Sequence, residues 1–255
     1  MDFNDTPEET IFRKEASDWL SANATLKDDD TVGNYPGMGE DDALSLAKKW
    51  AAKLYDSGWA CLHWPKEYGG RGSTPIERVI WGQEASKYRI PGGFFEIGQG
   101  MAGPVLMMYA NEDQKKRYLP PMAKGEEIWC QLFSEPGAGS DLAGLKTKSV
   151  LEGDTWTING QKIWTSGAHY SDYGILVTRS DPSAQKHKGL TYFFLDMKSP
   201  GVETRPIKQI SGGANFNEVY FTDVKIPDAQ RLGSVGEGWK VALTTLMNLS
   251  LIHIS

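Results

Sequence analysis

Residues 126–166 decide the fold and read EEIWCQLFSEPGAGSDLAGLKTKSVLEGDTWTINGQKIWTS. The first part is an apolar run, typical of a buried strand, that leads into a glycine-rich turn. Pro136 fixes one backbone angle, and Gly137 and Gly139 can take positive φ, so the turn can direct successive amides and the Ser140 hydroxyl toward one anion. The stretch therefore predicts a phosphate-binding turn at the end of a strand.

Two common nucleotide-binding motifs are excluded by the residues that follow this turn. A dinucleotide fingerprint would need a third glycine at position 142, where Leu142 stands, and then a helix, whereas the next residues alternate as strands do. The chain also contains no G-x-x-x-x-G-K-[ST] motif, which excludes a P-loop. Taken alone, a glycine-rich turn of this kind is far more often an ordinary connection between strands.

The second half of the stretch has the pattern of a β-hairpin. Asn159-Gly160 is a residue pair favoured in two-residue turns, and it lies between two alternating segments. A hairpin would place Trp164 and Ser166 on the same side of the returning strand, where an aromatic ring and a hydroxyl can hold a flavin ring by stacking and hydrogen bonding. The alternative is a cross-strand pair of Trp156 and Trp164 that only stabilises the sheet.

The two segments FSEPGAGSD (133–141) and NGQKIWTS (159–166) together resemble the paired signature of the acyl-CoA dehydrogenase family. The similarity extends over nearly the whole chain, through RYLPP (117–121) and NEVYFTDVKIP (217–227). This resemblance implies an FAD-dependent enzyme that oxidises an acyl-CoA thioester to the 2,3-enoyl-CoA. A carboxylate would remove the α-proton while a hydride leaves the β-carbon for flavin N5. The implied electron acceptor is an electron-transferring flavoprotein.

The resemblance also implies a set of cofactor-binding residues: Phe133, Ser134, Gly139, Ser140, Trp164, Thr165 and Ser166. Ser134 matches the position whose hydroxyl bonds the pyrimidine edge of the flavin, and Phe133 adds a neighbouring contact. Gly139 and Ser140 match positions near the FAD pyrophosphate, and Ser140 also lies near the CoA part of the substrate.

The aromatic and hydroxyl residues of the second segment have their own implied roles. Trp164 matches the side chain that packs on the flavin, and Thr165 and Ser166 match residues near its N5. Positioning of the flavin matters because the thioester's α-proton becomes acidic enough only when the carbonyl oxygen accepts hydrogen bonds.

The predicted fold class is a multidomain α and β protein. We expect an all-helical N-terminal domain at 1–124, a small antiparallel β-barrel or sandwich at 125–232 that binds flavin and CoA, and the start of a C-terminal helical domain at 233–255. Helices are predicted from Thr6-Pro7, at 41–57, from Thr74-Pro75, at 92–110, and after Asn111 up to a stop at Pro120-Pro121.

The C-terminal end departs from the family's pattern. In many members the run that matches Leu246-Met247-Asn248 is followed by Glu-Arg, whereas here Leu249 and Ser250 follow. We therefore predict no catalytic base within the chain, and we expect it at the position of Leu249 or in a further C-terminal domain. We also expect 249–255 to be non-native, and the fragment to bind FAD poorly and to be inactive.

Composition restricts the partners. The chain of 255 residues has a formal charge of −6 and a pI near 5.3, which disfavours nucleic acid and anionic membranes. No run is long and apolar enough to span a bilayer, and Met1–Asp5 shows no export signal, so we expect a cytoplasmic protein.

The sequence predicts no metal site. Its four histidines form no i, i+4 pair, and its two cysteines form no C-x-x-C motif.

Within the family, the signature segments look most like those of bacterial enzymes for bulky or branched CoA esters, including steroid side chains. Some of these work as two-subunit assemblies, so we expect a homo- or hetero-oligomer. Two alternatives stay open: a flavin-dependent monooxygenase of the same fold, and a non-catalytic partner subunit that supports a related dehydrogenase. The acyl chain is not specified by the sequence.

Overall fold

The computed structural model describes residues 4–27 and 38–248. The sequence also predicts a loop from Ala24 to Glu40, and residues 28–37 of it lie outside the described residues, as does the C-terminal segment with Leu249. The chain forms two compact units: one contains the residues up to Gly93 together with Ala123–Glu126, and the other contains Phe94–Met122 and the residues from Glu127 onward. The domain boundaries proposed at 124 and 232 stay predictions.

In chain order, the helices are α1 (Pro7–Asn23), α2 (Glu40–Asp56), α3 (Pro75–Ala85), α4 (Gly103–Tyr109), α5 (Glu112–Lys124) and α6 (Gly238–Met247). The helix starts predicted at Thr6 and Thr74 are confirmed by capping boxes: the Thr6 hydroxyl accepts from the Glu9 amide, and the Thr74 hydroxyl accepts from the Glu77 amide, each at 3.2 Å. No helix in the described part of the chain is long and apolar enough to cross a membrane.

The first unit is held by an aromatic core between α1 and α3. Its buried members are Phe12, Ala16, Trp59, Leu62 and Ile80, with Trp19, Leu54 and Trp81 packed against them. Ile11, which the helical pattern places on the same face, is instead 69% exposed. Two short strands, β1 (Thr25–Leu26) and β2 (Tyr88–Arg89), pair antiparallel beside these helices.

The prediction that Pro120-Pro121 ends the helix after Asn111 is wrong. Both prolines lie inside α5, which continues to Lys124. Leu119 and Met122 on this helix are fully buried, and their burial offsets the backbone hydrogen bonds that two prolines cannot donate. The helix predicted from position 92 begins only at 96 and passes through a π-helical turn, Gly98–Ala102, before α4.

The second unit is built on an eight-stranded sheet. Its strands are β3 (Trp129–Leu132), β4 (Lys148–Glu152), β5 (Thr155–Ser166), β6 (Tyr173–Arg179), β7 (Leu190–Asp196), β8 (Val202–Ile207), β9 (Phe216–Pro227) and β10 (Arg231–Leu232). The order is β10-β7-β6-β4-β5-β9-β8, and β3 also pairs with β6. Most pairs are antiparallel, as predicted, but β3 and β4 run parallel to β6.

The predicted hairpin turn at Asn159-Gly160 is wrong. These residues lie inside β5, and the turn is Gly153-Asp154, between the paired residues Glu152 and Thr155. The cross-strand pair of Trp156 and Trp164 is therefore wrong too, because both belong to one strand.

Asn159 and Gly160 serve the pairing of β5 with β9 instead. A Cβ on Gly160 would lie 2.6 Å from the Thr147 hydroxyl, so only glycine fits beside that residue. The Asn159 side chain exchanges two 3.0 Å hydrogen bonds with Asp223, whose φ is +50°. The register of β5 against β9 shifts by one residue between Ile158 and Gly160, which makes a β-bulge.

Candidate cofactor site

The sheet brings the two signature segments side by side. The first segment follows β3, and the second forms the end of β5. The Ile163 amide donates a 2.9 Å hydrogen bond to the Ser134 carbonyl, which directly joins the residue after Phe133 to the residue before Trp164. A contact between residues distant in sequence thus holds the two segments together.

The glycine-rich turn is closed by two backbone hydrogen bonds between Glu135 and Ala138, of 2.9 and 3.0 Å. The expected positive φ at Gly137 and Gly139 is not found. Cβ atoms built at these two glycines meet no atom within 4 Å. In the described part of the chain, the amides of Gly137, Gly139 and Ser140 also make no hydrogen bond. The turn therefore presents open space and free amide donors, which suits the close approach of an anion.

A second bulge turns Trp164 outward. Lys162 is buried, and strict alternation along β5 would bury Trp164 as well. β5 has one extra residue between the pairs Lys162/Val219 and Thr165/Asn217, and Trp164 there has φ +61°. From this bulge onward, the side chains of β5 point to the opposite faces of the sheet. The indole is consequently 58% exposed, and its edge contacts the Phe216 ring at 6.2 Å between centroids.

The predicted cofactor residues differ in their exposure. Gly139, Ser140, Trp164 and Ser166 are exposed, and Ser134 is half-buried.

Phe133 and Thr165 are buried, at 5% and 1% exposure. The Thr165 hydroxyl has no hydrogen-bond partner among the described residues, while its carbonyl accepts a 2.9 Å bond from the buried Asn217 side chain. Thr165 therefore presents no exposed side-chain atom to a ligand.

Sequence reasoning missed a buried ion pair that joins the two segments. The Lys162 ammonium lies 2.9 Å from the Glu135 carboxylate and 2.9 Å from the Phe133 carbonyl. The same carboxylate accepts from the amides of Lys146, at 2.6 Å, and Thr147, at 2.8 Å. Both ions belong to the quoted signature segments, so their fixed place there was the available signal. A lysine in an alternating strand was nevertheless not expected to be fully buried.

Burial and charge act in opposite directions on this pair. Burial lowers the pKa of Lys162 to about 8, against the attraction of the Glu135 carboxylate. Burial acts to raise the pKa of Glu135, but the Lys162 charge and the hydrogen bonds from Thr147 and Lys146 hold it below its ordinary value. Glu135 is therefore ionised at neutral pH.

Other titratable groups do not form a metal centre. Among residues 4–27 and 38–248, no group of three or more histidine, cysteine, aspartate or glutamate side chains is arranged to hold an ion. Cys61 and Cys130 are free thiols, and burial raises the pKa of each to about 12.

Comparison with known proteins places this geometry in a family. Residues 6–126 match the N-terminal domain of the acyl-CoA dehydrogenases, and residues 130–224 match the middle domain. The chain is 40% identical over 240 residues to acyl-CoA dehydrogenase IpdE1 of Mycobacterium tuberculosis, which covers 92% of this chain and 61% of that protein.

Two solved structures show the same architecture. The Tcur3481-Tcur3483 steroid ACAD superposes with a TM-score of 0.80 at 32% identity, over 98% of this chain and 63% of that one. The ChsE4-ChsE5 complex from Mycobacterium tuberculosis gives 0.78 at 31% identity, over 97% and 61%. The chain thus spans about three fifths of the length of these relatives. With both family domains matched along its length, the chain belongs to the acyl-CoA dehydrogenase family, whose members are FAD-dependent.

Proposed function

We propose that the protein dehydrogenates an acyl-CoA thioester between its α and β carbons, with FAD as its cofactor. One observation carries this proposal: an exposed Trp164 and Ser166 lie on the strand that is hydrogen-bonded to Ser134, at the start of a turn with free amides. This arrangement combines an aromatic face, two hydroxyl donors and an anion site within two short segments.

The residues fit FAD on both its polar and its aromatic parts. The amides of Gly137, Gly139 and Ser140 would receive the pyrophosphate, and the open space beside the glycines lets it approach. A notch of about 250 Å³ beside this turn is lined by residues that include Gly137 and Lys146, whose ammonium adds positive charge.

The ring would be held by the side chains of the second segment. Trp164 offers an exposed indole, and the hydroxyls of Ser134 and Ser166 can donate hydrogen bonds to the ring's polar edge. FAD supplies the hydride acceptor when bound. The protein's own task is to hold the ring and to exclude alternative orientations of it.

Removal of the α-proton requires a carboxylate. The family pattern places a glutamate in many members where this chain has Leu249, a position outside the described residues. We assign no base among the described side chains. Ser140, at the end of the glycine-rich turn, is our proposed contact to the CoA part of the substrate.

The substrate class is proposed to be bulky CoA esters, such as those of steroid side chains. Support comes from the similarity to a structure described as a steroid ACAD. We further propose an electron-transferring flavoprotein as the acceptor and a cytoplasmic location, both of which rest on the family resemblance.

The test is binding of FAD to the purified chain, followed by anaerobic addition of a steroid side-chain CoA ester. Saturable binding with a shifted visible flavin spectrum supports the cofactor site, and bleaching of the flavin band by the ester supports dehydrogenation. Because we expect weak FAD binding and no turnover from this chain, FAD is titrated to high concentration. A flavin spectrum that stays unperturbed even there contradicts the cofactor site, and bleaching by the ester contradicts the expected inactivity. Reduced flavin that is reoxidised rapidly by oxygen would instead indicate the monooxygenase alternative.

A second candidate is a subunit of a two-component dehydrogenase. It is favoured because two similar structures are named for pairs of different chains, ChsE4-ChsE5 and Tcur3481-Tcur3483. Flavin content and turnover are measured for the chain alone and after co-expression with a second acyl-CoA dehydrogenase from the same genome. Full flavin content and turnover without the second chain would contradict this candidate.

A further inference from the structure

The buried ion pair of Glu135 and Lys162 connects the two ends of the glycine-rich turn to each other and to β5. Glu135 stands at the start of the segment 136–145, and its carboxylate binds the amides of Lys146 and Thr147 at the end of that segment. The Glu135 side chain therefore links the first residues of this loop to its last residues. Its third bond, from Lys162, connects the closed loop to strand β5.

The lysine in turn binds the backbone of Phe133, which is itself a predicted flavin contact and directly precedes Ser134. Its ammonium donates to the Phe133 carbonyl at 2.9 Å as well as to Glu135. Ser134 lies between these two acceptors, and its own carbonyl accepts from Ile163. Lys162 and Ile163 of β5, the two residues before Trp164, therefore hold the backbone around Ser134.

We propose that Glu135 and Lys162 are positioning residues whose buried pair fixes the glycine-rich turn against β5 and thereby sets the geometry of the FAD site. The inference rests on the proposed function, and neither side chain is proposed to touch FAD. Lys162 is fully buried and Glu135 is 8% exposed, so their effect must pass through the backbone groups that they hold.

An ion pair in this position is not explained by stability alone. Replacing a buried pair by neutral side chains of similar volume often leaves a protein as stable as before, whereas removing one partner leaves a buried charge and is costly. The carboxylate does what a neutral pair cannot, because it accepts two backbone amides and an ammonium together. Stability and site geometry can therefore be separated by experiment.

The experiment compares Glu135→Gln, Lys162→Met and the double variant with the wild type. The matched control is Lys225→Met, an exposed lysine on the neighbouring strand β9 whose ammonium bonds the Thr157 hydroxyl. Three quantities are measured: the melting temperature without FAD, the dissociation constant for FAD from quenching of flavin fluorescence, and amide hydrogen exchange of residues 136–147.

Both single variants should lose melting temperature, and the double variant should recover most of that loss. FAD affinity should nevertheless stay about tenfold weaker in the double variant, since hydrogen bonds that orient a charged ligand are no longer held in place. Exchange of 136–147 should be faster than in the wild type. Lys225→Met should leave all three quantities unchanged.

A double variant that recovers wild-type FAD affinity together with its melting temperature overturns the inference, because the pair would then be purely structural. Unchanged exchange of 136–147 overturns it as well. If the wild type itself binds no FAD, the proposed function fails on its own, and the exchange measurement on the FAD-free protein still decides whether the pair fixes the turn.

Discussion

Glycines at positions 139 and 160 serve two different purposes within the same site. Gly160 is needed by the fold, because a Cβ there would lie 2.6 Å from the Thr147 hydroxyl and 2.7 Å from its Cα. Gly139 has no such neighbour and no positive φ, so the chain itself would accept a side chain. We propose that the FAD pyrophosphate lies in this open space.

Matched alanine variants separate these purposes. Gly160→Ala should lower the free energy of unfolding by about 1–3 kcal/mol, since its methyl group would overlap the buried Thr147. Gly139→Ala should leave the free energy of unfolding within about 0.5 kcal/mol of wild type but weaken FAD binding about tenfold, because its methyl group meets the phosphate. Urea denaturation and flavin fluorescence titration measure the two effects. Equal FAD affinity in Gly139→Ala would show that no ligand lies beside this glycine.

The buried Lys162 predicts an alkaline pH dependence of stability. Its pKa is about 8 in the folded protein and 10.5 ordinarily, so between these pH values the unfolded chain binds more protons than the folded one. The group's contribution to the free energy of unfolding should rise with pH across this window, by up to roughly 1.4 kcal/mol per pH unit. The contribution is lost as the pH falls through the folded pKa.

The reference for this measurement is the double variant Glu135→Gln/Lys162→Met. Denaturation curves of both proteins are compared from about pH 7 to the ordinary lysine pKa of 10.5, so that titration elsewhere in the chain cancels. A constant difference between the two proteins would mean that Lys162 keeps its ordinary pKa despite its burial.

At the residue scale, the sequence predicted the site by resemblance and not by geometry. The free amides at Gly137 and Gly139 were anticipated, but through a positive φ that neither residue has. Trp164 was expected on the same side as Ser166, and both side chains are exposed, but it is a bulge that turns Trp164 outward against the alternation of β5. Lys162 shows why such details escape, because the two groups that compensate its burial, the Phe133 carbonyl and the Glu135 carboxylate, lie 29 and 27 residues away in sequence.

Among the elements, β9 owes its bulge to a single residue in left-handed conformation. Asp223 has φ +50° and exchanges two hydrogen bonds with Asn159 on β5. Left-handed backbone is unfavourable for side chains branched at Cβ, and Asn and Asp tolerate it best after glycine.

Asp223→Val should therefore lower the free energy of unfolding by about 1–2 kcal/mol, while Asp223→Asn, which keeps the acceptor oxygen, should stay within about 0.5 kcal/mol of wild type. Thermal or urea denaturation compares the two variants. A valine variant as stable as the asparagine variant would show that the bulge can be rebuilt without left-handed backbone.

Elements with local signals were predicted well. The starts at Thr6 and Thr74 follow from side-chain caps within one turn of helix. The signal of Asn159-Gly160 was also local, but pairing along twelve residues of β9 outweighs a two-residue turn preference. The helix end predicted at Pro120-Pro121 was wrong because tertiary packing again outweighs a local signal. The helix around the two prolines is stabilised by burial in the folded unit.

For the molecule as a whole, ligand binding and stability must be linked. A ligand that binds only the folded state raises its stability by about 2.7 kcal/mol at a hundredfold excess over the dissociation constant. FAD should therefore raise the melting temperature of the chain in a concentration-dependent way. Riboflavin, which has the ring without phosphates, should raise it less, because it leaves the amides of Gly137, Gly139 and Ser140 unfilled.

Differential scanning fluorimetry with FAD, FMN and riboflavin at equal concentrations gives the order of the shifts. ADP is the matched control that carries phosphates without the flavin ring. An equal shift with riboflavin and FAD would contradict a phosphate site in the glycine-rich turn, and no shift with any flavin would contradict the proposed cofactor.

The pairing of β5 has a consequence for the timing of biogenesis. The strand that carries Lys162 and Trp164 is flanked by β4, made just before it, and by β9, made some fifty residues later. While a ribosome is still translating residues before Phe216, one edge of β5 has no neighbour, and the bulge that turns Trp164 outward has no partner strand to form against. A nascent chain of that length therefore cannot yet fold the complete pocket for its prosthetic group.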